Sequence, residues 1–174
     1  ADPFVENNTF DSAFAGSLDG NNNTITGLTI TRPNESAVGL IGFSFGTVRH
    51  ITLTTATITG NNTVGGLVGS NFGTVTDVTI SGSVTGNESV GRLVGFTDGT
   101  IQNATASGDV TGIESVGGLV GDNNNDGTIR NATVSGSVTA TGTGEFGVSS
   151  AGGLVGSNFG KITDATASGD VTGI

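Results

Sequence analysis

The chain has 174 residues, only 33% of them hydrophobic, with 32 glycines, a net charge of −10 and no Trp, Tyr, Met or Cys. So few large side chains would fill a compact globule poorly, whereas a narrow core one residue layer deep suits them. The lack of cysteine excludes a disulfide scaffold and thiolate metal sites, the acidic balance repels phosphate and so argues against nucleic acid and anionic membrane surfaces, and no apolar run approaches the ~18 residues of a membrane-spanning helix.

Residues 1–13 match nothing later in the chain and carry Phe4, Val5 and Phe10. Terminal units of a stacked array need covering, so this segment is expected to be an N-terminal arm or a cap over the first coil. From residue 14 the text becomes repetitive. Asp19-Gly20-Asn21 reads as a turn, and Thr24-Ile25-Thr26-Gly27-Leu28-Thr29-Ile30 aligns with Thr74-Val75-Thr76-Asp77-Val78-Thr79-Ile80, which predicts a degenerate first rung headed by Thr24. Further copies follow at 37–63, 64–89, 90–115, 116–150 and 151–174, the third and fourth units being 26 residues long.

Within these units the apolar positions fall into columns. Leu40, Leu67, Leu93, Leu119 and Leu154 form one; Ile25, Val48, Val75, Ile101, Ile129 and Ile162 a second. A third runs Leu28, Ile51, Val78, Ala104, Ala132, Ala165, a fourth Ile30, Leu53, Ile80, Ala106, Val134, Ala167, and a fifth Ile58, Val84, Val110, Val138, Val171. Stretches such as Val78-Thr79-Ile80 alternate apolar and threonine, as a strand with one buried face does, and Gly with Ser or Asp breaks each stretch too early for a helix. The expected fold is all-β: a single-stranded parallel β-solenoid of about six coils over 14–174, with equal positions stacked at ~4.8 Å. The fifth unit carries two insertions, Asp122-Asn123-Asn124-Asn125-Asp126-Gly127 and residues 140–150, which would bulge from the stack where binding tends to be placed.

Candidate sites are few. Asn-x-Ser/Thr sequons stand at Asn7, Asn22, Asn34, Asn61, Asn87, Asn103 and Asn131; repeat spacing puts Asn34, Asn61 and Asn87 in one column and Asn103 with Asn131 in another. Either these are stacked asparagine corners or N-glycosylation sites on a glycoprotein. Asp122-x-Asn124-x-Asp126-Gly127 opens like a calcium loop, but Thr133 stands where the bidentate acid belongs, so a plain Asn/Asp turn is expected and no metal or cofactor. Phe45, Phe72 and Phe159 share a rung position and are expected to pack at a coil corner, with sugar or partner binding as the other use. His50 is the lone histidine, which leaves no triad, and Asp109 and Asp170, two rungs or ~10 Å apart, have no cleft around them. The chain is not expected to be an enzyme.

The decamer ATASGDVTGI occurs at 104–113 and again at 165–174, where the text stops. A final rung with bare Ala165, Ala167 and Val171 would offer open strand edges, either to further repeats of the same chain or to the first rung and Phe4-Val5…Phe10 arm of another copy.

The recurring Gly-Gly-Leu-Val-Gly, followed by Gly-Thr-Ile-x-Asn-Ala-Thr-x-x-Gly-x-Val-x-Gly over 37–174, resembles the GLUG motif of large bacterial and archaeal surface and secreted proteins, adhesin-like proteins and IgA-peptidase-type exoproteins among them. The chain departs from that pattern at Arg92, which replaces the second glycine, at Phe45, Phe72, Asp98 and Phe159, and in lacking tyrosine. The resemblance implies a β-solenoid stalk or shaft outside a prokaryotic cell. The expected role is therefore a non-catalytic extracellular rod of a cell-surface stalk or head-to-tail filament; the alternative is an adhesin module that binds a glycan or cell-surface ligand through 140–150.

Overall fold

The computed structural model describes residues 13–142 and 149–173, and these form a parallel β-solenoid with no helix among them. Each complete coil runs through three strands: a short one such as Asn62–Gly65, a second short one such as Val68–Asn71, and a long one such as Thr74–Thr85. Like strands of successive coils pair in parallel, so the rod has three sheets. The long sheet is six strands deep along its main path, the second sheet five and the third four. That gives about five complete turns rather than six, because the first rung contributes to the long sheet and otherwise only a single bridge, Phe14 to Ser44.

The core is the stacked columns. Val48, Val75, Ile101 and Ile129 are fully buried, as are Leu67, Leu93 and Leu119, with the Ile51 and Leu53 columns packed beside them. A second cluster, Ile58, Val64, Val84, Val90, Val110, Val116 and Val138, lies alongside. In the last four coils the division comes from Gly82, Gly108, Gly136 and Gly169, whose positive φ bends the long strand between its two halves. A Cβ on Gly82 would overlap the backbone of Ala56 in the coil below, so the bend also needs the bare backbone. Thr52, Thr79, Thr105, Thr133 and Thr166 stack on the outer face.

The first rung differs from its expected register. Leu18 pairs with Val48, Ile25 with Leu53 and Ile30 with Ile58, so the rung is headed by Ser17 opposite Thr47 and not by Thr24. A bulge between Asp19 and Asn23 takes up the difference, with Asn21 and Asn22 both at positive φ. Gly20 permits it, since a side chain there would run into His50 and Ile51.

Candidate functional site

Every long strand after the first has a left-handed residue at one shared position: His50, Asp77, Asn103, Asn131 and Asp164, all at φ between 51° and 55°. His, Asp and Asn are the types that tolerate this conformation best after glycine. Their side chains stack into an exposed polar ladder. Asn131 Nδ2 donates to Asn103 Oδ1 (2.7 Å) and Asn103 Nδ2 donates to Asp77 Oδ1 (2.8 Å). His50 lies between Asp77 (3.9 Å) and Asp19 (3.1 Å), and Arg49 Nε donates to Asp19 at 3.0 Å. The Asn21 backbone N–H, then the His50 side chain, hold the Asp19 carboxyl below its ordinary value; the Asn103 amide, then the Thr76 hydroxyl, do the same for Asp77.

The remaining sequons separate. Asn87 Nδ2 donates to Asn61 Oδ1 at 2.6 Å, a second asparagine stack. Asn34 is not part of it: the Asn61 backbone N–H bonds to the Glu35 carbonyl, just as Asn87 bonds to Asn61, so Asn34 is one residue out of the column. The reason is that Val38 bridges Val64 at a spacing of 26, while Ile41 already pairs with Val68 at 27; the second coil has one corner residue fewer, regained as a bulge between Leu53 and Ala56. Asn22 sits in the first-rung bulge, and Asn7 lies outside the described residues, as do Phe4, Val5 and Phe10.

Two polar features inside the rod were not anticipated from the sequence. Arg92 has no exposed surface at all. Its Nη1 donates to the carbonyls of Gly118 (3.0 Å) and Ser135 (3.2 Å), its Nη2 to Ser137 (3.1 Å), and its Nε has no partner. Burial pushes its pKa down, and the Asp109 charge opposes this. A Cβ at the equivalent Gly66 would meet Ile80 and the Arg92 carbonyl, and at Gly118 the Gly153 carbonyl and Val134; in the Arg92 coil the place of Ile80 and Val134 is taken by the smaller Ala106. The second feature is the column Ser44, Asn71, Thr97, Asn123 in the second sheet, all buried, with Asn71 Nδ2 donating to Thr97 Oγ1 (3.1 Å) and Asn123 Nδ2 to Asn158 Oδ1 (2.7 Å). Its signal is a polar residue at one fixed place in every copy.

Phe45 and Phe72 stack at 4.9 Å, and Phe96 continues the row by tilting against Phe72 at 5.7 Å where the corner column has Asp98. Phe159 stands apart, 73% exposed on the last rung. The Asp122 carboxylate accepts from the Ser89 hydroxyl and Asp98 accepts from the Asp126 backbone N–H; no group of three acidic or histidine side chains there or elsewhere among the described residues is placed to hold a metal ion. Asp109 and Asp170 are both exposed on the outer face. Of the insertion at 140–150, residues 143–148 lie outside the described residues. Ala165 is half-buried, Ala167 exposed and Val171 47% exposed, in contrast to their buried counterparts Ala132, Val134 and Val138 one coil earlier.

The family model for the GLUG motif matches at residues 60–85, 112–139 and 147–172. A 79-residue part, 44% of the chain, is 41% identical to halomucin of Haloquadratum walsbyi, of whose length it spans 1%. The backbone is similar to the crystal structure of a candidate immunoglobulin A1 protease from Bacteroides ovatus, with a TM-score of 0.66 and 19% identity over 90% of this chain and 52% of that one. That likeness concerns the fold. The motif matches fall on whole coils of the stack, each taking in a short-strand corner and a long strand, and the chain carries the GLUG motif at three places along the stack.

Proposed function

We propose that this chain is a non-catalytic structural rod of an extracellular, cell-surface protein, and that its last rung takes up another coil, from further repeats of the same chain or from a second copy docking head to tail. The observation that carries the rod is the parallel pairing of like strands from Ser17 to Thr172, shifted at the Asp19–Asn23 and Leu53–Ala56 bulges, in which nearly every large apolar side chain among the described residues is spent on stacking. The segment shared with halomucin supports a place in a large repeat protein. The non-catalytic reading rests on the ionisable groups: His50 is half-exposed within an ion-pair cluster on the outer surface, and Asp109 and Asp170 stand outside the stack.

For the joint, the interior decamer at 104–113 supplies the pattern. Its Ala104, Ala106 and Val110 are covered by Ala132, Val134 and Val138 of the next coil, and the same residue types recur at Ala165, Ala167 and Val171. Surface labelling of intact source cells, with electron microscopy of the purified chain, tests both parts. Label confined to lysed cells rejects the extracellular reading. Particles that stay single rods at high concentration reject the docking of a second copy and leave a rod stacked on further repeats of the same chain.

A further inference from the structure

We propose that Asn34 is an N-glycan acceptor of the folded chain, and that the asparagines of the two ladders are not acceptors despite carrying the same sequon. The difference lies in what each amide nitrogen already does. Asn87, Asn103 and Asn131 each commit Nδ2 to a neighbour one rung away, at 2.6–2.8 Å. Asn61 accepts one of those bonds and is half-buried. Rungs ~4.8 Å apart leave no room for a branched sugar between stacked side chains. Two of the sequon hydroxyls are also engaged: Thr63 Oγ1 accepts from the Ala37 backbone N–H at 2.9 Å, and Ser89 donates to Asp122. Asn22 lies within the strand Ser17–Thr26, with Thr24 paired to Thr52.

Asn34-Glu35-Ser36 is different. It lies outside any strand, on the turn after Thr29–Thr31, and all three residues are exposed. Neither the Asn34 amide nor the Ser36 hydroxyl makes a hydrogen bond among the described residues, and both are free to enter a transferase. Pro33 presets the turn, which the Glu35 N–H to Arg32 carbonyl bond (3.0 Å) and the Arg32–Glu35 ion pair (2.8 Å) close. Such a turn presents the acceptor without breaking a ladder bond of the rod.

The chemistry is a group transfer from a polyprenyl-pyrophosphate-linked oligosaccharide. Asn34 Nδ2 attacks the sugar C1, the N–C1 bond forms as the C1–O bond breaks, and the lipid pyrophosphate leaves with the electron pair. The proton lost from Nδ2 passes through the transferase to solvent. In the cell this encounter rests on the extracellular reading; the test does not.

The full chain, folded, is incubated with a single-subunit oligosaccharyltransferase that accepts Asn-x-Ser/Thr and its lipid-linked donor, and sites are read by glycopeptide mass spectrometry. A heat-unfolded sample runs in parallel. The folded chain should carry glycan at Asn34, with at least tenfold lower occupancy at Asn61, Asn87, Asn103 and Asn131, and unfolding should raise those four. Asn34→Gln should remove the folded-state signal. A folded chain bare at Asn34, or modified equally at the ladder positions, overturns the assignment.

Discussion

Arg92 donates through Nη1 to the carbonyl of Gly118, the residue that holds Arg92's own place in the next coil. One rung thus departs from the glycine rule by bonding to the rung that keeps it, and Ala106 in place of Ile80 or Val134 accompanies the exchange. Arg92→Gly should leave a void beside Ala106 and cost about 2–4 kcal/mol. Ala106→Ile alone should overpack by about 1–3 kcal/mol. The double variant, which restores the Gly66 with Ile80 arrangement, should recover part of both losses. A double-mutant cycle from denaturant melts with zero coupling would mean that the two sites do not share space.

Val110→Asp and Leu119→Asp place an unpaired charge in a layer one residue deep, since the two residues are 1% and 0% exposed. Each should cost several kcal/mol, on the order of 3–5. Thr105→Asp, on the outer face, should stay within about 0.5 kcal/mol. Equal melting temperatures for all three would mean that the faces are reversed.

Asn103→Ala removes both amide bonds of the long ladder and puts a Cβ-bearing residue without a polar side chain at φ 51°. A loss of about 1–2 kcal/mol is expected, and Asn103→Gly should lose less because glycine adopts that φ freely. Chemical denaturation of the two variants checks the order.

Asp19 and Asp77 both have folded-state pKa values below the ordinary 3.8. A depressed carboxyl binds fewer protons folded than unfolded, so its contribution is complete above that ordinary value and disappears as pH falls through the lowered one. Melting temperature should therefore drop below about pH 4, and Asp77→Asn should drop less between pH 5 and the acid end. A wild type and variant with parallel acid profiles would contradict the assignment.

Much of this was legible in the sequence because a repeat writes its register several times over. The Val48 and Leu67 columns needed only alignment. The first rung was misaligned because Thr24-Ile25-Thr26 copies the local text of Thr74-Val75-Thr76, while the bulge at Gly20-Asn21-Asn22, which moves Leu18 onto Val48, looks like an ordinary turn. Sequence spacing groups Asn34 with Asn61 for a related reason: the spacing of 27 that holds from Ile41 to Leu53 is 26 at Val38. Arg92 stood out as a departure, yet its meaning lies in carbonyls 26 to 45 residues away, which no local pattern records.

The claim that the chain is a rod of interchangeable coils is tested most directly by adding coils and measuring length. Copies of residues 64–89, the glycine-bearing coil, inserted between Ser89 and Val90 continue the register at both joints. By small-angle scattering, each inserted copy should lengthen the particle by ~4.8 Å at constant cross-section. A cross-section that widens while length stays fixed, or loss of the β-sheet signal, would contradict the account.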